Sequence, residues 1–345
     1  MMNKRFLHGV YAMATCALMA LCLMLSACGM MDYDLPACTR HLKVRFVYDM
    51  NMKFADAFPH EVKTLTLYAF DTSGKLVYQH TAQADTIIAK GYMDITDLEP
   101  GHYKLMVWAQ GEQRYENSYT FGTCEIGSSN RSSLTAKVNR SGKTVDHDIT
   151  ALYYGLLDDA DFSDVPTGGE RTVTVKLTKD TNLFRVVLQN LSGKPLDTAD
   201  FNFFITDNNG YLDADNNLLA DDTLRYNSWS KYSGQAGIGT DSADVTTGVS
   251  AVVAELTTNR LVTGHDMRLH ITQKSTGRSI VNIPLIDYCL LVKGQYNQQM
   301  SNQEYLDRQD SYDLVFFIDA SKNWALSAVI YINSWRVVLQ NADIN

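Results

Sequence analysis

From residue 41 onward, apolar and polar residues alternate with a period of two over long stretches of the chain. Leu42, Val44, Phe46 and Tyr48 interleave with Lys43, Arg45 and Asp49. Val173, Val175 and Leu177 interleave with Thr172, Thr174 and Lys176, and Met267, Leu269 and Ile271 with Arg268, His270 and Thr272. Successive side chains of a strand point to opposite faces, so this pattern predicts half-buried strands of antiparallel sheets. Turn signals punctuate the runs at Asp71-Thr72-Ser73-Gly74, Glu99-Pro100-Gly101, Ser192-Gly193-Lys194-Pro195 and Asn208-Asn209-Gly210. Short strands interrupted this regularly predict β-sandwiches. The stretch "DITDLEPGHYKLMVWA" (94–109) reads as strand, tight turn and strand, with Pro100 and Gly101 in the turn and Gly101 taking a positive φ. Beyond it, Tyr103, Leu105 and Val107 share one face, and Met106 and Trp108 the other. The best helical candidate is "MSNQEYLDRQD" (300–310), with Ser301 as N-cap and Glu304 completing a capping box.

The predicted fold class is all-β, with two antiparallel β-sandwich domains in tandem. The run "LLDDADFSDVPTGGE" (156–170) concentrates acids, Pro and Gly, as exposed linkers do. The expected domains are therefore residues 28–160 and 165–345. The polar segment 221–250 reads as long loops.

The first 27 residues read as a signal peptide. Lys4 and Arg5 precede an apolar stretch that ends at Ser26 and Ala27. The competing reading, a transmembrane span, needs roughly 20 apolar residues. Leu25-Ser26-Ala27-Cys28 matches the bacterial lipobox: an aliphatic residue, two small residues, then the cysteine that takes the diacylglyceryl group. Cys28 is thus the expected lipidation site, and two or more acyl chains hold a protein stably on a bilayer. The formal net charge of −9 becomes −11 once Lys4 and Arg5 leave with the signal. Such a chain repels nucleic acid and anionic head groups, so the acyl chains must hold it at the membrane.

Cys38, Cys124 and Cys289 also remain after the signal is removed. An exported compartment permits disulfides. Cys38 and Cys124 lie in polar segments near the two ends of the first domain and form the candidate disulfide. Cys289, inside the apolar run 286–292, is the expected buried free thiol.

Catalytic constellations are missing from the sequence. The eight histidines include no pair with zinc-site spacing, and there is no Gly-x-Ser-x-Gly elbow and no P-loop. The chain is therefore expected to be no enzyme and to need no cofactor. Asp207, Asn209, Asp213, Asp215 and Asn217 could supply calcium ligands, but Gly210 comes too early for an EF-hand loop and no glutamate closes it. Two consecutive turns explain the same residues. Tyr226, Trp229 and Tyr232 stand in a polar stretch, where they read as a cap over the sandwich or as a sticky patch.

Several segments in order resemble the FimB-type fimbrial anchor and minor-subunit lipoproteins of Bacteroidales, which build type V pili. They are "CTRHLKVRFVYDMNMKFADAFPHEVKTLTLYAFDTSGKLV" (38–77), the Pro-Gly-x-Tyr unit with Trp108, "FFITDNNGYLDADNNLL" (203–219), "MSNQEYLDRQDSYDLVFFID" (300–319) and "IYINSWRVVLQNADI" (330–344). The resemblance implies two transthyretin-like sandwiches and an outer-membrane lipoprotein at the cell surface. Its partners would be the major fimbrial pilin and other fimbrial subunits, joined by strand exchange and without catalysis. It further implies a role in limiting fimbrial length. The expected partner-binding strand is Val329, Ile330, Tyr331, Ile332, Asn333, Ser334 and Trp335; the competing reading makes it a core strand of the second domain. A stalk or tip subunit, or a surface glycan-binding lipoprotein, would share the same general features.

Overall fold

A computed structural model describes residues 38–190, 192–239, 245–294, 298–324, 330–333 and 335–337. The signal segment and Cys28 lie outside them. Ten strands precede residue 180: β1 (His41–Val47), β2 (Thr64–Phe70), β3 (Leu76–Gln83), β4 (Met93–Ile95), β5 (His102–Gln110), β6 (Tyr119–Phe121), β7 (Ala136–Val138), β8 (Thr144–Val145), β9 (Leu152–Asp161) and β10 (Glu170–Lys179). Helices α1 (Phe58–Glu61) and α2 (Ala84–Lys90) lie among them.

Strand β10 belongs to two layers. From Glu170 to Lys176 it pairs in parallel with β1, whose other side takes β4. From Leu177 to Lys179 it pairs antiparallel with β9, followed by β5, β2 and β3. Changing partners midway folds the strands into a sandwich. Leu42, Val44 and Phe46 of one layer then pack in a single core with Leu65, Leu67, Leu105 and Val107 of the other. Gly155 of β9 stands opposite Leu177, where the change occurs. A Cβ there would lie 2.6 Å from Leu177 Cδ2, 2.8 Å from Val175 Cγ1 and 3.0 Å from the Lys176 carbonyl oxygen. Gly155→Ala should therefore cost about 1–3 kcal/mol through overpacking, read as a lower midpoint in urea; an unchanged midpoint would refute the close approach.

The second half comprises β11 (Thr181–Asn190), β12 (Phe201–Asp207), β13 (Tyr211–Leu212), β14 (Leu224–Asn227), β15 (Ser230–Gly239), β16 (Val245–Asn259), β17 (Arg268–Gln273), β18 (Ser279–Pro284), α3 (Leu285–Leu291), α4 (Asn302–Arg308), β19 (Ser311–Ile318), β20 (Ile330–Ile332) and β21 (Trp335–Val337). One sheet runs β15-β16-β11-β19-β20-β21 and the other β18-β17-β12-β14-β8. The halves interlock, because β8 pairs with β14 and β7 with β13. Met106, Trp108 and Tyr154, on the outer face of the first sandwich, share a core with Phe184, Val186 and Phe203 of the second. The two faces read from 103–108 are thus both buried, in different cores.

Four expectations need correction. The boundary placed within 156–170 lies inside the first sandwich, since β9 runs to Asp161 and β10 completes that sandwich. The chain crosses over at Asp180, the single residue between β10 and β11. Segment 221–250 builds β14, β15 and the start of β16 rather than long loops. The two strands of the 94–109 unit do not pair across a tight turn, because β4 pairs with β1 while β5 pairs with β2 and β9. Gly101 is not among the residues with positive φ. The Tyr103 hydroxyl instead donates to the Glu99 carbonyl at 2.6 Å, pinning a corner where the chain changes layer. The predicted helix is α4, and the Ser301 hydroxyl accepts from the Glu304 N–H at 3.0 Å.

Candidate functional site: the C-terminal sheet edge and the junction

The expected partner strand is a hairpin. Ile330 and Ile332 of β20 are fully buried and belong to the second core, beside Leu314 and Phe316 of β19. Tyr331 is half-buried and meets Phe317 edge to face at 6.1 Å. Asn333 has a φ of 47° and begins the turn into β21. Asparagine tolerates this left-handed region because its short side chain bonds locally. Here Asn333 Oδ1 accepts from the Asp313 N–H at 2.7 Å, and the Asn333 N–H donates to the Asp313 carbonyl at 2.8 Å. Ile330 and Ile332 thus fit the core-strand reading. Val329 and Ser334 lie outside the described residues, and Trp335 opens β21. No strand among the described residues pairs with the outer side of β21. Antiparallel pairing alternates direction, so the Asn333 bond to β19 sets Ile332 toward Trp335 and leaves the Arg336 N–H and carbonyl pointing outward.

The two cysteines of the candidate disulfide are not brought together. Cys38 is exposed beside Gly168 at the entry to β1. Cys124 packs on the outer face of the first sandwich, against the other core. Both thiols are free, as is Cys289, which is fully buried as expected and whose thiol burial pushes up.

The proposed calcium donors are committed elsewhere. Asp213 Oδ1 accepts from the Asp215 and Asn217 N–H groups, which closes a turn with Asn216 at positive φ. Buried Asn209 donates to the Asn259 and Arg260 carbonyls and accepts from the Tyr226 hydroxyl. Asp207 is buried near His265. Among the described residues no group of three His, Cys, Asp or Glu is placed to hold a metal ion.

Sequence reasoning missed the junction. Asp180 is wholly buried there, with Oδ1 accepting from Asn216 Nδ2 at 2.9 Å and Oδ2 without a partner. Arg260 approaches Asp180 at 3.8 Å while gripping Asp307 with two bonds of 2.8 Å. Burial pushes the Asp180 carboxyl up to about 7, against the pull of Arg260. Lys179 next door links Glu61 and Asp310. Burial works against its charge, but the two carboxylates outweigh it and raise its pKa. A lone Asp after a Lys in a strand pattern gives no sign of burial, so only the crossing itself reveals this cluster.

The aromatic trio also separates. Tyr226 is a buried core residue, Tyr232 is 43% exposed and accepts from Arg185, and Trp229 sits half-buried in a cleft between the sandwiches.

Comparisons with known proteins bear on this arrangement. A family model described as "Mfa2: Fimbrillin-A associated anchor proteins Mfa1 and Mfa2" matches residues 35–341. The minor fimbrium anchoring subunit Mfa2 of Porphyromonas gingivalis is 23% identical over 325 residues, which is 93% of either chain. The solved fimbrial anchor protein Mfa2 of that species shares the fold, with a TM-score of 0.63, 21% identity and coverage of 88% of this chain and all of that one (100%). A solved protein of Bacteroides thetaiotaomicron designated an adhesin is 31% identical, with a TM-score of 0.74, and the match covers 89% of this chain and 100% of that one. Another from the same organism, designated polysaccharide-binding, is 30% identical with a TM-score of 0.72, over 87% of this chain and 98% of its own.

Proposed function

The chain belongs to the family of fimbrillin-A associated anchor proteins Mfa1 and Mfa2, and from that premise we propose that it is a non-enzymatic, lipid-anchored subunit that holds a fimbrium to the outer membrane. The observation that carries this reading is the family match across residues 35–341, which leaves the lipobox cysteine just ahead of the matched region. Acyl chains on Cys28 tie the N-terminus to the bilayer. Towards the other end of the chain, the outer side of β21, unpaired among the described residues, offers main-chain N–H and carbonyl groups to a strand of the major pilin or of another fimbrial subunit. Such strand addition takes its affinity from main-chain bonds and its specificity from alternate side-chain pockets.

Deleting the gene should release fimbriae into the medium, longer than normal, while pilin synthesis continues. Arg336→Pro, which removes an outward N–H from the edge without touching the buried Ile330 and Ile332, should reproduce the release with the protein still folded and membrane-bound. Cells lacking the gene that keep firmly attached fimbriae of normal length would rule the anchor reading out. Retention by Arg336→Pro alone would move the contact away from β21.

A further inference from the structure

A cleft of about 370 Å³ opens where the sandwiches meet, bounded by α1, the 111–114 loop, β11 and β16. Its size falls within the range of small-molecule sites. Trp229, in the connection between β14 and β15, lines it. The Trp229 indole N–H donates to Thr257 Oγ1 at 3.0 Å, and that hydroxyl donates to Asp148 Oδ1 at 2.7 Å. The ring is therefore held by its edge. Among the described residues no aromatic ring stacks on it and no cation lies over its face. Leu183 stands directly across the ladder from Thr257 and is 40% exposed. Trp229 and Leu183 thus give the cleft an apolar surface.

The rim is polar in both senses. The charges in the cleft that pair with one another, among the described residues, are Lys179 with Glu61 and Asp310. Glu112, Asp148 and Glu255 offer acceptors, and Arg114 offers donors, without ion-pair partners there. Acids outnumber Lys and Arg along the lining. That excess disfavours phosphates and acidic sugars by charge repulsion. A purely apolar ligand would strip the rim of water and leave its polar groups unpaired. A neutral pyranose meets both demands: its C–H face is apolar, and its hydroxyls donate to carboxylates and accept from a guanidinium.

We propose that this cleft binds a neutral saccharide of one or two rings, with Trp229 and Leu183 beneath the sugar face and Glu112, Asp148, Glu255 and Arg114 around its hydroxyls. The site is independent of the anchor reading, and its failure would leave that reading intact.

Isothermal titration of the detergent-solubilised full chain with cellobiose, maltose, lactose and N,N′-diacetylchitobiose tests the proposal. At least one should give saturable heat, weakened about tenfold or more by Trp229→Ala and to a smaller extent by Glu112→Gln. Glu112 is exposed, so that variant guards against a folding artefact. Trp229→Phe should retain part of the affinity, since a flat ring remains. No saturable heat with any of the four sugars would overturn the proposal. So would binding unchanged in both Trp229→Ala and Glu112→Gln, or a lysine-rich peptide that displaces the sugar and binds more tightly.

Discussion

Replacing Arg260 with methionine should lower the unfolding free energy by about 3–5 kcal/mol at pH 8, and by clearly less at pH 5. The side chain lies between two acids, bidentate to Asp307 and 3.8 Å from Asp180, and it also donates to the Asn216 carbonyl at 2.6 Å. Removing one partner of a buried ion pair strands the charge that remains. The pH dependence comes from Asp180. Burial raises its carboxyl from an ordinary 3.8 to about 7, with Arg260 pulling it down, Asp307 pushing it up, and the phenols of Tyr48, Tyr119 and Tyr154 close by. Between about pH 4 and pH 7 the folded chain keeps a proton that the unfolded chain has lost. Stability therefore falls as pH rises through that window. Without Arg260 the carboxyl rises further, which adds to the deficit at pH 8. At pH 5 it is protonated with or without Arg260, and the loss is confined to the Asp307 and Asn216 contacts. Asp180→Asn should abolish the titration and make the chain more stable at pH 8 by up to about 4 kcal/mol. Urea unfolding at the two pH values decides the matter. An equal loss for Arg260→Met at both, or a less stable Asp180→Asn at pH 8, would contradict the account.

Cys28→Ser should empty the outer-membrane fraction of this protein. Each buried methylene of an acyl chain contributes about 0.8 kcal/mol, and a single chain gives only marginal binding. Serine offers no thiol for acylation, so the whole attachment is lost at one position. The variant should either stay uncleaved or appear unattached, without incorporating labelled palmitate. The effect is large because, in the proposed arrangement, the acyl chains are the hold, and the net charge of −11 without the signal opposes adsorption to anionic lipids. A variant that still sediments with outer membrane and carries palmitate would refute the lipobox reading.

The strands were legible wherever one face of a sheet meets solvent or a second core. Leu42, Val44 and Phe46, or Leu269 and Ile271, show their burial in a period of two because sheets bury alternate residues. Partner choice was not legible. Nothing in the alternation of 172–177 says that β10 faces β1 rather than β11, because either partner would bury Val175 and Leu177. The acids and glycines of 156–170 read as a linker, since loops between layers and loops between domains need the same turn chemistry. Helix α2 was missed because "ADTIIAK" is too short to show a helical period. The partner strand was half-legible: alternation marked Ile330 and Ile332, but the turn at Asn333 shows only through its backbone. The cleft could not be read at all, since Trp229, Leu183 and Asp148 come together only through the packing of the halves.

Strand β10 and its successor have a mechanical consequence. In the proposed arrangement, tension enters at the lipid ahead of β1 and leaves through the hairpin of β20 and β21. It passes from β1 to β10 through their parallel ladder along all seven residues of β1. It crosses at Asp180 and passes from β11 to β19 through a second parallel ladder, eight residues long on β19. Strands paired in parallel and pulled from opposite ends are loaded in shear, so their bonds share the force and must yield together. An antiparallel hairpin pulled at its open end would instead unzip one bond at a time. Drag on an attached fibre would thus meet two shear clamps in series, joined by a single residue.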